Sequence, residues 1–377
     1  MFNLRFYMFS VLVILLAVAG CKVPAITQLS ENRSVPAAFA AGADSTNTSL
    51  IQWRSFFTDK YLVNLIDTAV KNNQEAKITF QEIEIARNEI RLRKGALLPS
   101  VGVRVGAGLD KVGRYTSQGA GDASTDIKPG LEVPETLTDF SGSVFASWEI
   151  DIWKKLRNAK KAAIARYLSS VEGRNFVITD LVAEVATNYY ELLSLDNQLD
   201  MVRQNIELQK NALDIVKIQK EASRVTELAV QKFEAEVLGS QGLEFELIQR
   251  TMEAENRINF LLARFPQPVP RDKNNFLTST PALIKTGTPS QLLANRPDIK
   301  QAELELAAAK LDVQVARAEF YPSLGLSAAL GLQAFQPAYL VKLPASLLYS
   351  LASDLAGPIV NRNAIKAEFY SANARQT

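Results

Sequence analysis

The sequence predicts a mainly α-helical protein with a transmembrane β part, in which long helical barrel staves accompany four β-strands. Three observations carry this prediction. Residues 154–262 contain no proline and follow an apolar spacing that only very long helices use. Segments 100–110 and 140–152, and again 323–333 and 346–355, alternate apolar with small or charged residues. The N-terminus reads as an export signal ending at Cys21.

The rods come first because the other segments are placed relative to them. Ile178, Val185, Leu192, Leu199, Ile206 and Leu213 stand seven residues apart, and Leu181, Leu195, Val202 and Val216 fill most positions three residues later. That is a sustained a/d seam. The run up to Glu221 would extend roughly 100 Å at 1.5 Å per residue. Taken alone it fits a soluble coiled coil. The seam breaks at Ala222-Ser223-Arg224-Val225-Thr226 and resumes at Leu228, Phe233, Val237 and Leu247, so those five residues are the expected reversal into a second long helix. Gly239 and Gly242 would each weaken that returning helix by about 1 kcal/mol, which points to a local bend or a close helix contact.

Composition narrows the chemistry. Lys and Arg total 42 against 40 Asp and Glu, so a net charge of +2 offers no electrostatic reason to propose nucleic acid. Histidine is absent and cysteine occurs once, which removes histidine triads, intrachain disulfides and the usual zinc sites. No cofactor is expected beyond a covalent lipid on Cys21, and no metal or catalytic residue is assigned. Glu149 and Asp151 are the one close carboxylate pair near a possible lumen, and they read as solvated barrel wall rather than a general acid and base. The chain is not expected to be an enzyme.

Residues 1–20 form the signal: Arg5 supplies positive charge and Phe6 to Val18 is nearly all apolar, short of the roughly 20 residues that a membrane helix needs. Val18-Ala19-Gly20-Cys21 is similar to the bacterial lipobox, in which the cysteine becomes the acylated first residue, and Lys22 after it is compatible with delivery to the outer membrane. Residues 21–50 read as a tether. A first repeat spans 51–265: amphipathic helices at Lys60–Asn72 and about Glu75–Lys94, the strand pair, and the long helix pair at 154–262. Trp53, Phe56 and Phe57 are expected to pack on the rods. The second helix lists Ile78, Ile83, Ile85, Ile90 and Leu92 as its apolar positions. A proline-rich connector, 266–289, ends the repeat.

The first half then begins again over 290–377. Pro297 opens a helix to about Phe320, and Tyr321-Pro322-Ser323-Leu324 matches Leu98-Pro99-Ser100-Val101. A strand pair follows, and a second long helix is expected from about Arg362. The first repeat has about 110 residues of helix after its strands and the second fewer than twenty before Thr377, so the comparison predicts a C-terminally truncated member of something longer.

Four transmembrane strands cannot close a barrel, since small barrels need about eight. Open edges in lipid would each cost several kcal/mol per unpaired group. The strands must therefore be shared among protomers, and a ring of protomers also gives each rod neighbours on both sides.

Trp53 to Leu62 (WRSFFTDKYL), Ala86-Arg87, Leu97-Leu98-Pro99-Ser100, Trp148 to Asn158 (WEIDIWKKLRN), Asn295-Arg296-Pro297-Asp298-Ile299 with Ala302-Glu303, and Phe320 to Leu324 together resemble the TolC-like outer-membrane efflux proteins, in the lipoprotein branch serving resistance-nodulation-division pumps. The resemblance runs from about Gln52 to the end. It implies a homotrimer in the cell outer membrane of a Gram-negative bacterium, whose four strands per chain make a twelve-stranded β-barrel that a helical barrel continues into the periplasm. It also implies a periplasmic adaptor protein and an inner-membrane pump as partners, with Ala222, Ser223, Arg224, Val225 and Thr226 as the possible adaptor-docking turn. Relatives usually have glycine at that turn and carry their entrance-closing residues on the second long helix, so no gate residue is assigned. A trimer of the shortened chain is expected to be open, leaky or unassembled. The function implied is a passive exit duct for drugs or other toxic small molecules. The alternatives are a type I protein-secretion conduit, a non-functional fragment, and a lipid-anchored periplasmic coiled coil.

Overall fold

In a computed structural model of the protein, the structure describes residues 24–26, 34–39, 51–273, 276, 285, 287–358 and 362–377. Cys21, the signal and most of the tether lie outside them, as do several connector positions. The elements run α1 (Trp53–Phe56), α2 (Lys60–Asn72), α3 (Gln74–Gly95), β1 (Ser100–Asp110), α4 (Ser117–Asp122), β2 (Asp126–Lys128), β3 (Leu131–Glu132), β4 (Leu137–Ile150), α5 (Lys155–Glu221), α6 (Glu227–Leu261), α7 (Pro289–Asn295), α8 (Pro297–Ala318), β5 (Ser323–Ala334), α9 (Pro337–Leu340), β6 (Leu347–Ala356) and α10 (Asn363–Gln376). Among the described residues no helix is long and apolar enough to cross a membrane.

The chain divides into two compact units. One holds Ala86–Tyr167 and Glu305–Thr377, the other Asn32–Ile85 and Leu168–Leu304. In the second unit the seam is the core: Val185, Leu192, Leu199, Ile206 and Leu213 are buried, with Leu181 and Leu195 beside them. Leu181, Val185, Leu192, Leu195 and Leu199 pack with Leu62, Leu65, Ile66 and Ala69 of α2 and Leu247, Ala254, Ile258 and Leu261 of α6. Nearer the reversal, Leu213 packs with Val230 and Val237. The α2 helix docks because its apolar residues lie three and four apart. Asp59 caps it, accepting from the backbone N–H of Tyr61 at 2.8 Å and from the Tyr189 hydroxyl at 2.6 Å. Trp53 and Phe57 pack against this core, as expected from their place before the helices. The connector is tied down by charge. Arg271, 11% exposed, ion-pairs with Asp196, 2% exposed, and with Glu255, and Lys273 reaches Asp196 at 3.0 Å.

The first unit contains a four-stranded antiparallel sheet in the order β1-β4-β5-β6, with β1 and β6 as its edges. Its helical part packs Ala162 and Ala165 of α5 on Ala308 of α8, and Phe320 on Phe369 of α10. At the strand–helix junction Trp153 stacks on Tyr321 at 4.7 Å and donates to the Pro322 carbonyl at 2.7 Å.

Several expectations are corrected. The second strand starts at Leu137 and stops at Ile150, because Asp151 turns to cap α5. Between β1 and β4 the chain makes a helical turn and a small β2–β3 hairpin. The α6 helix runs through Gly239 and Gly242 unbroken, and a Cβ at either would meet nothing within 4 Å, so among the described residues no close helix contact is made there. On α3 only Ile83 of the five expected apolar positions is buried. Ile78, Ile85 and Leu92, seven residues apart, stay exposed, because α3 carries two apolar rows and the chain itself covers only one.

Candidate functional site

The sheet has two unlike faces, and its register defines both. Val103, Val144, Leu330 and Tyr349 lie in one cross-strand row, and Val101, Ala146, Ala328 and Leu351 in the next. With Val105, Leu332, Leu347, Leu326, Trp148, Leu324 and Leu355 they make a continuous apolar face, most of it exposed in the single chain. A patch of that extent needs a cover. The opposite face presents Ser100, Gly102, Arg104, Gly106 and Gly108 of β1, Ser141, Ser143 and Ser147 of β4, and Ser327 and Gly331 of β5. The small residues set the spacing: a Cβ at Gly331 would lie 2.3 Å from the Gly142 carbonyl oxygen. The outer edges of β1 and β6 have no strand partner among the described residues.

Glu149 and Asp151 do not act as a pair. Glu149 ion-pairs with Lys155 at 2.5 Å. Asp151 accepts from the backbone N–H groups of Leu156 and Arg157 at 3.0 Å and from the Arg157 guanidinium at 2.9 Å. One carboxylate neutralises a lysine and the other satisfies the orphan donors of a helix start.

The reversal falls on Ala222–Thr226, where the seam breaks. Ser223 adopts φ 56°. The Arg224 N–H donates to the Gln219 carbonyl at 2.9 Å and the Ser223 N–H to that of Lys220 at 2.8 Å, a Schellman closure built on serine instead of glycine. Thr226 is the N-cap residue of α6, and an ion pair between Lys220 and Glu227 spans the turn.

Sequence reasoning missed a second set of apolar rows. Met201, Leu208 and Ile215 on α5, and Leu238, Phe245 and Met252 on α6, are each seven residues apart and exposed, like the row on α3. The signal that would have found them is the same heptad count applied to the other helix face. The Asp196–Arg271 pair, 75 residues apart, had no such signal.

A family model described as outer membrane efflux protein matches residues 65–264 and 288–377. The chain belongs to this family. Among its curated relatives, the outer-membrane efflux protein named for toluene efflux, TtgF of Pseudomonas putida, is 29% identical over 287 residues, 76% of this chain and 57% of the relative. The pyoverdine export outer membrane protein OpmQ of Pseudomonas putida is 30% identical over 325 residues, 86% of this chain and 67% of the relative. The chain thus spans little more than half the length of the first of these. Solved outer-membrane channels share the fold. The CmeC outer membrane channel of Campylobacter jejuni superposes with a TM-score of 0.75 at 21% identity, covering 94% of this chain and 74% of that one. The MtrE outer membrane channel of Neisseria gonorrhoeae gives 0.72 at 21% identity, covering 94% and 76%. These channels are mainly helical with a β-barrel part, in accord with the fold class expected from the sequence.

Proposed function

We propose that this protein is the outer-membrane channel component of a tripartite efflux system, a passive exit duct for small toxic molecules. One observation carries the reading: a four-stranded sheet with a continuous apolar face and two edges that have no strand partner among the described residues. Such a sheet is stable in lipid only if each edge pairs with another copy, because unpaired backbone groups in hydrocarbon cost several kcal/mol each. Three copies give a twelve-stranded barrel, large enough for a water-filled lumen lined by the small and charged face. The exposed heptad rows of α3, α5 and α6 suit the same assembly, since staves in a closed helical wall need an apolar seam on both flanks.

The partners follow from this reading. A periplasmic adaptor docks at the turn Ala222–Thr226, an inner-membrane pump of the resistance-nodulation-division type supplies the energy, and acyl chains on Cys21 anchor the mature start in the outer membrane. Relatives named for toluene and pyoverdine export support a small-molecule cargo. The test is a cysteine pair across the edges, Val103→Cys with Tyr349→Cys, in the full chain purified from outer membranes. Disulfide-linked oligomers that stop at three chains are expected, together with conductance in planar bilayers. Monomers alone and a silent bilayer would overturn the reading.

A further inference from the structure

The small-residue face of the sheet also carries some larger side chains, Leu137 and Leu348 at its margins among them. Among the described residues of the four strands, it carries Asp110, Asp139, Glu149 and Asp354 as anions, a single cation, Arg104, and a single aromatic ring, Phe145. The cation and the ring are in contact. The Arg104 guanidinium stands over the Phe145 ring at 5.1 Å, within the range of a cation–π interaction. The ring in turn lies on Gly102, its cross-strand partner: a Cβ at that position would come within 2.6 Å of the Phe145 Cζ. Phe145 is therefore laid down along the sheet instead of standing out from it.

Arg104 is exposed and Phe145 half-buried, so one face of the ring stays open. Arg104 is flanked in its row by Ser143 and Gly331, and Phe145 by Gly102 and Ala329, with Ser100, Ser147 and Ser327 in the row beyond. None of these side chains is large enough to cover the ring. The nearby anions are also engaged elsewhere: Asp139 accepts from the Gln333 amide at 2.9 and 3.0 Å, and Glu149 pairs with Lys155. Among the described residues Arg104 pairs with no carboxylate, so its charge faces the space in front of the wall.

We propose that Arg104 and Phe145 form a cation–aromatic platform on the conduit wall that attracts solutes carrying both a flat aromatic ring and an anionic group, and so biases which cargo passes. The proposal rests on the reading of this face as the lumen wall. The ring of such a solute stacks on Phe145 while its anion meets the guanidinium, and both contacts gain from the exclusion of bulky neighbours. An assembly of several copies repeats the platform around the lumen. A competing role exists for Phe145 alone, since an aromatic ring over a strand glycine shields bare backbone. That role needs an apolar cover but neither an aromatic ring nor Arg104.

The experiment is single-channel recording of the full chain in planar bilayers, with benzoate and cyclohexanecarboxylate as probes of equal charge. Benzoate is expected to block current several-fold more strongly. Arg104→Gln and Phe145→Leu should each weaken benzoate block by about three- to tenfold, while Phe145→Tyr, which keeps the ring, should retain it. Equal block by the two probes, or block unchanged in both Arg104→Gln and Phe145→Leu, would overturn the platform and leave the conduit standing. A chain that conducts no current would overturn the conduit and the platform together.

Discussion

Two carboxyl groups, Asp196 and Glu319, are pushed in opposite directions by what stands beside them. Burial alone would raise Asp196, but hydrogen bonds and charge from Arg271 and Lys273 outweigh it and hold the group below the ordinary carboxylate range. The unfolded chain then binds the extra proton on acidification, so the stability from this group is full above about pH 4 and is lost as pH falls through the lower folded value. Asp196→Asn should flatten that acid limb of a stability–pH curve measured by urea unfolding. Arg271→Ala leaves a nearly fully buried carboxylate with Lys273 alone, and should cost about 3 kcal/mol at neutral pH in the same measurement. Glu319 is raised, first by burial and then by Glu368, which lies beside it and shares a hydrogen bond. Lys155 offsets this in part and Glu149 adds to it. Its contribution is therefore present below about pH 4.3 and lost as pH rises through the folded value. Glu319→Gln mimics the protonated form, so the variant's stability gain over the parent should grow between pH 4 and pH 7; a constant difference would reject the pairing.

Among the elements, the reversal between α5 and α6 shows what spacing can and cannot reveal. The seam broke at Ala222, and the chain turns there. The type of turn was not legible, because a left-handed residue is read from glycine and this turn uses Ser223 at φ 56°. A Cβ in that region is unfavourable by roughly 1–2 kcal/mol. Ser223→Gly should accordingly raise the unfolding free energy, by up to about 1 kcal/mol after the added freedom of the unfolded chain, while Ser223→Val should lower it. The α6 helix ends with the same closure, with Ala263 at φ 51° and the Arg264 N–H donating to the Asn259 carbonyl at 3.0 Å. On α3 the apolar residues were legible but not their division between two rows. Ile83 meets the chain's own packing, whereas Ile78, Ile85 and Leu92 are left for something outside it.

For the whole molecule, unfinished burial is the feature that decides behaviour. Heptad rows on three helices and one face of the sheet are exposed in the single chain, and under the proposed assembly these are the surfaces that neighbouring copies would cover. Leu208→Glu combined with Phe245→Glu places charge on two exposed rows without touching the buried seam. The expected outcome is loss of the oligomer in crosslinking or sedimentation, with the helical signal and thermal midpoint of the detergent-solubilised protomer unchanged. A protomer destabilised by more than about 1 kcal/mol would mean that these rows serve the chain's own core.

The sequence alone determined the periods: seven in the rods, two in the strands, the places where one replaces the other, and the small-residue face opposite the apolar one. Those patterns are set by backbone geometry over a few residues, so a local reading reaches them. Only the tertiary structure decided the strand order and register, the sharing out of each helix's two apolar rows between inside and outside, and the meetings of Asp196 with Arg271 and of Arg104 with Phe145. Each of these joins residues dozens of positions apart, and their juxtaposition depends on how the whole chain closes, not on any spacing along it.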